Sequence, residues 1–134
     1  SRSLDDLLLG TRAKYCAARD EWNATHTNPV FEVCTYRDQH EQDGLYAQGR
    51  DENHPGPIVT WTRHSKHTER RAVDFAFKMP KPFDLKADID ADGIPYFMEF
   101  GKICEKHGLQ HGIINNEGKH VDLGHTQDNE AYPS

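Results

Sequence analysis

The chain has 134 residues, a formal charge of −6 at pH 7, and 35% hydrophobic against 28% charged residues. That length suits one domain with enough chain for a core, and no apolar run approaches the ~20 residues of a membrane span. The acidic balance argues against nucleic acid as the main partner, because phosphate binding draws on clustered Lys and Arg.

Ser3-Leu4-Asp5-Asp6 has the form of an N-cap box, and Leu4, Leu8, Tyr15, Ala18 and Trp22 recur near one helical face. Residues 4–22 are therefore expected to form an opening helix, within an N-terminal segment 1–29 that packs on the domain. Leu7-Leu8-Leu9 follows acidic residues and is too short for a secretory signal, which leads to the expectation of a protein made in the cytoplasm. After a polar turn over 23–29, Val30–Thr35 alternates as a strand does, and Asp38 is a plausible N-cap for a helix ending at Gly49. A polar loop, Gly49–Gly56, leads into an expected short strand, Ile58–Thr62, and Ala72–Phe77 reads as another strand. Met79-Pro-Lys-Pro-Phe83 breaks regular structure. A helix is expected over Pro95–His107, stopped by Gly108. Ile113-Ile114 opens a strand, Asn115-Asn116-Glu117-Gly118 turns, and Lys119–Gln127 returns, before a polar segment 128–134 expected to be a loose tail. Cys16, Cys34 and Cys104 are odd in number and lack C-x-x-C spacing, so buried reduced thiols are expected, with neither a disulfide frame nor a thiolate zinc site.

The chemistry concentrates in Ser65-Lys-His-Thr-Glu-Arg-Arg-Ala-Val-Asp74. A loop histidine, His67, and an aspartate on the following strand, Asp74, can converge on one metal ion. Catalytic zinc takes three such N and O ligands and keeps a position open for water. His125 can supply the third ligand, while Asp122, three residues before it, stays free to take a proton. Glu117-Gly-Lys-His120 competes as a second acid-x-x-His. Arg37, at the mouth of a strand, can hold a carboxylate or an oxyanion, or can form a surface salt bridge. Ser65 either orients the site or the substrate or caps a turn. A second constellation, Asp88-x-Asp90-x-Asp92-Gly93-Ile94 with Glu99 at the twelfth position, matches the D-x-D-x-D-G-x5-E calcium loop. The prolines upstream argue against an entering helix, and an acidic helix start that complements the dipole is the plainer alternative.

Taken together, Ser-x-His-x6-Asp, Asp-x-x-His-x-Gln and the stretch Tyr36-Arg37…Gln42…Leu45-Tyr46-Ala47-Gln48-Gly49-Arg50 resemble the zinc peptidases of the D-alanyl-D-alanine carboxypeptidase and L-alanyl-D-glutamate endopeptidase group, phage endolysins in particular. The likeness spans about residues 30–127. It implies an α+β fold like that of hedgehog and the D-Ala-D-Ala peptidases, with helices flanking a small antiparallel sheet and zinc at the sheet. It further implies zinc ligands His67, Asp74 and His125 (rather than His120), Asp122 as base, Arg37 as a catalytic cation, and Ser65 and Gln42 toward substrate. The implied partner is the peptidoglycan stem peptide, cut between L-Ala and D-Glu by a monomer that reaches the wall from the host cytoplasm at lysis without inserting in the membrane. Calcium, through Asp88, Asp90, Asp92, Ile94 and Glu99, would be structural or regulatory. The chain departs from the family pattern at Arg70, where glycine is usual, and at His111, where tryptophan is usual. A D,D-carboxypeptidase, a metal-dependent nuclease and an inactive calcium-binding module are the alternatives.

Overall fold

Val73, Phe75 and Phe77 alternate with Ala72, Asp74 and Ala76 along β2 (Ala72–Phe77), and the strand pleat sends the two sets to opposite faces. One face is aromatic. Phe75 and Phe77 meet Phe97 and Phe100 of α3 (Tyr96–Lys106) at ring-centroid separations from 4.8 to 6.1 Å. Trp22 of α1 (Leu9–Thr25) closes on Phe77 at 4.9 Å, with Tyr15 and Ala18 on the same buried stripe. Each buried ring contributes about 1.5–3 kcal/mol, which makes this layer the main source of stability. The other face carries two fully buried alanines and, between them, Asp74.

The computed structural model describes residues 1–60, 62–115 and 117–130, together with every side chain among them except that of Asp122. Its four-stranded sheet runs β1-β2-β4-β3, with β1 at Val30–Cys34, β3 at Gln110–Ile114 and β4 at His120–Gln127. Every pairing is antiparallel, so the architecture is α+β, with α1 and α3 against the sheet. The described residues include no helix long and apolar enough to cross a membrane.

α2 (Gln39–Ala47) starts as expected, because Asp38 and Glu41 form a reciprocal capping box. Other expectations are corrected. The opening helix is split: Ser3 caps a short 3-10 turn, Leu4–Asp6, and α1 begins only at Leu9 and runs to Thr25. The break has a cause, since Leu7 is buried in extended backbone and the Leu8 N–H donates to the Arg70 carbonyl. Residues 58–60 and 62 form no strand, and Trp61 lies outside the described residues. The carbonyls in and just after this segment are taken by side chains from in and beside α2: Thr60 accepts from Arg50, Thr62 from Gln42 and Arg63 from Gln39. β3 starts earlier than expected, at Gln110.

The tail is not loose where it leaves the sheet. Asp128 is fully buried and accepts from Thr11 Oγ1 at 2.8 Å and Lys14 Nζ at 2.9 Å, which fastens the end of β4 to α1. Residues 131–134 lie outside the described residues.

The β3–β4 pairing is irregular just before His125, where β4 bends. Val121 pairs with Ile113 and Thr126 with His111, so residues 122–125 of β4 face only Gly112 of β3. Gly112 has φ 71°, and a Cβ there would sit 2.3 Å from the Val121 carbonyl. A Cβ on Gly124 would meet the Phe75 carbonyl at 2.4 Å. Only glycine permits this approach at either place.

Candidate metal centre and cavity

β2 and β4 are in register at Asp74 and His125, and β1 and β2 at Cys34 and Asp74. The sheet therefore brings three potential ligands into one row, and the loop before β2 adds His67. That loop is held by Ser65, whose Oγ accepts from the His67 N–H at 3.1 Å and whose carbonyl accepts from Thr68. Ser65 thus caps the turn that presents His67, and it also borders the cavity.

Asp74 Oδ1 lies 3.1 Å from His67 Nε2 and 2.8 Å from His125 Nδ1. Each ring is also engaged at its other nitrogen. His67 Nδ1–H donates to the Thr35 carbonyl at 2.9 Å, and His125 Nε2 sits 2.9 Å from Gln127 Oε1. Burial alone would lower the His67 pKa, but the Asp74 carboxylate, Cys34 and the Thr35 carbonyl raise it to about 9. Burial would raise Asp74, yet the hydrogen bonds from His125 and His67 hold it well below the ordinary carboxylate range.

Cys34, His67 and Asp74 offer ligand atoms that all lie within 4.8 Å of one another, a group able to hold a metal ion. His125 contacts the same Asp74 oxygen from the other side but is not one of that close group. Cys34 was not expected here, because its role is set by strand register rather than by any local spacing. Burial opposes ionisation of its thiol, but His67 and Arg37 outweigh that and lower its pKa. Cys104, by contrast, is an inert core thiol pushed up to about 12 by burial.

Arg37 lies beside the group, 4.0 Å from Asp74 Oδ2 and 3.7 Å from Cys34 Sγ. Gln42 holds it there: its Oε1 accepts from Arg37 at 2.9 Å while its Nε2 donates to Thr62. Gln42 is completely buried, so it positions Arg37 from behind and has no surface to offer a substrate. His120 is directed elsewhere, with Nε2 against the His111 carbonyl. The Asp122 side chain lies outside the described residues; its backbone belongs to the bent part of β4.

Arg37, Ser65, His67, Asp74 and His125 open on one cavity of about 800 Å³, rimmed by the partly exposed Ile58, Val59 and Ile114. A volume of that size suits a peptide-sized ligand.

Arg70, where the resembled family has glycine, adopts φ 64°. The left-handed turn is kept, and the side chain is used: it lies over Tyr36 at 3.9 Å and donates to the Asp6 carbonyl at 3.0 Å.

The acidic loop is a separate cluster. Asp88, Asp90 and Asp92 form one close group, and Asp90 belongs to a second with Glu99 and His26. Asp88 accepts from the Asp92 and Gly93 N–H groups, and Asp92 accepts from Ile94, so the chain folds into a tight loop ahead of α3. The residues before Asp88 form turns, not an entering helix. Loss of water and then neighbouring carboxylates raise Asp90, and Glu99 is raised by burial against the hydrogen bond from His26.

No protein-family model matches this chain, and a comparison with curated proteins finds no match.

Proposed function

We propose that this chain is a zinc-dependent peptidase of the peptidoglycan stem peptide, an endolysin that hydrolyses the bond between L-Ala and D-Glu during host lysis. The observation that carries the reading is the approach of His67 Nε2 and His125 Nδ1 to a single Asp74 oxygen, at 3.1 and 2.8 Å, on the wall of an open cavity. Two imidazoles and a carboxylate are a catalytic zinc donor set. The donors also have the support such a set needs, since the outer nitrogen of each ring already has an oxygen acceptor. Bound zinc would supply Lewis acidity toward the scissile carbonyl and a water acidified toward neutrality.

The chain's own groups do the rest. Arg37, fixed by Gln42, is a cation available to a substrate carboxylate or to the oxyanion that forms at the scissile carbonyl. Asp122 is assigned from its spacing to His125 as the base that accepts the water's proton and passes it to the departing amine. The acidic loop, with Asp88, Asp90, Asp92, Ile94 and Glu99, is proposed to take calcium. A divalent ion there would relieve the like-charge crowding that raises Asp90.

The test is mass spectrometry of purified peptidoglycan after incubation with the protein, beside a zinc-chelated control. New L-Ala and D-Glu termini that vanish on chelation are expected. Release of single D-Ala residues would replace the endopeptidase with a carboxypeptidase, and no product with both metals supplied would end the peptidase reading. Asp122→Ala should abolish turnover and keep zinc. Asp90→Ala should remove any calcium-dependent gain in melting temperature; a parent protein indifferent to calcium would reduce the loop to a helix start.

A further inference from the structure

The geometry points to Gln127, backed by Asn129 and Gln110, as a positioning relay that decides which nitrogen of His125 faces the metal; this rests on the zinc reading above. Beyond the bend in β4 the residues alternate. His125, Gln127 and Asn129 border the cavity, while Thr126 and Asp128 are buried. Gln110 is the strand partner of Gln127 and borders the same wall. The three amides form a line. Gln110 Nε2 donates to the Gly112 carbonyl at 3.3 Å, Asn129 Nδ2 donates to Gln110 Oε1 at 2.8 Å, and Gln127 Nε2 donates to Asn129 Oδ1 at 2.8 Å. Gln127 Oε1 is then the atom left facing His125 Nε2, at 2.9 Å.

The direction of this line is set at its far end. A backbone carbonyl can only accept, and each primary amide has one accepting end and one donating end. Turning over Gln110 or Asn129 would bring two oxygens together on one side and two NH₂ groups together on the other, and turning over Gln127 would set its oxygen against Asn129 Oδ1. The polarity fixed at Gly112 therefore propagates to Gln127, whose oxygen must accept. Gln127 Oε1 thus holds a hydrogen on His125 Nε2, so a metal that takes the place of the Nδ1 hydrogen now given to Asp74 would meet the lone pair on Nδ1. His67 needs no such device, because a main-chain carbonyl, that of Thr35, does the same work directly.

Zinc affinity measured by chelator competition on the full chain tests this, with the melting temperature of the metal-free protein as the check on folding. Gln127→Met should weaken zinc binding by about 10- to 100-fold with little change in melting temperature. Gln127→Glu keeps an accepting oxygen and should stay within about threefold of the parent, and Asn129→Ala, which frees the Gln127 amide to turn, should fall between the two. In the zinc-loaded parent, long-range ¹H–¹⁵N spectra should show the His125 hydrogen on Nε2. A hydrogen on Nδ1, a Gln127→Met variant that holds zinc as tightly as the parent, or a Gln127→Glu variant as weak as Gln127→Met would each overturn the relay and leave the zinc reading standing. A parent chain that takes up no zinc would overturn both.

Discussion

Zinc uptake by this chain should be strongly pH-dependent, and the metal-free site says by how much. His67 donates through both nitrogens, to Thr35 and to Asp74, and its pKa is raised to about 9. A metal can take Nε2 only after that proton has left. With its pKa near 9, His67 is mostly protonated at pH 7, which should oppose metal binding by about 100-fold, or about 3 kcal/mol. Apparent zinc affinity should therefore rise close to tenfold per pH unit between about pH 6.5 and 8.5 and level off near 9. Chelator competition across that range gives the slope, and calorimetry at pH 7 in buffers of different protonation enthalpy counts the protons released. An affinity that stays flat, or zinc binding that releases no proton, would refute the reasoning.

The metal-free protein should behave in the opposite sense. His67 is raised above 6.5, so its contribution to stability is fully present below that value and fades as the pH climbs through about 9. Asp74 is held below 3.8, so its contribution is present above that value and is lost as the pH falls through its folded pKa. As far as this pair decides, the metal-free melting temperature should be highest between about pH 4 and 6.5, and zinc should move that optimum upward.

Asp128→Ala removes the buried partner of Lys14 and Thr11 and should cost about 3 kcal/mol in urea denaturation, the low end for a broken buried pair because Lys14 keeps Glu130; a loss below about 1 kcal/mol would mean the end of β4 is held by something else. Arg70→Gly relieves a left-handed φ at an L-residue, worth about 1 kcal/mol, and forfeits the Tyr36 stacking and the Asp6 contacts, worth a similar amount. Its melting temperature should stay close to the parent's, whereas Arg70→Ala keeps the strain, loses the contacts and should melt lower; the reverse order would show that the turn does not set the balance. Arg37→Met should keep the fold and the zinc and lose about 100-fold or more in turnover on peptidoglycan; unchanged turnover would leave Arg37 a structural partner of Gln42.

What could be read from the sequence is what local chemistry decides. β2 announces itself because its aromatic and small residues alternate at the period of a pleat, and α2 because Asp38 and Glu41 can satisfy each other's backbone donors. His67 and Asp74 stand out because a loop histidine followed by a strand carboxylate is a compact way to offer two metal donors. Other features are decided by partners distant in the chain. Leu7 and Leu8 look like helix but are pulled into extended backbone by the core and by Arg70. Ile58–Thr62 has strand composition, yet its Thr60 and Thr62 carbonyls go to the Arg50 and Gln42 side chains, and residues 58–60 and 62 join no sheet. Asp128 looks like the start of a tail until α1 supplies Thr11 and Lys14.

The site shows the same division at closer range. Cys34 has no spacing motif, and it reaches the metal group only because β1 pairs with β2 at Asp74. His125 reaches Asp74 because β4 pairs with β2 at that same residue. Asp74 is thus the one position where both neighbouring strands meet the central strand's open face, and its aromatic neighbours fix that strand from the other side. A change in register of either pairing would exchange a candidate donor for the residue beside it, Thr35 or Thr126 among them, and turn that donor away. Chemistry at this site therefore depends on the helix-side core as much as on the ligands. Truncating Phe75, which anchors β2 against Phe97 and Phe100, should loosen metal binding even though it touches no ligand.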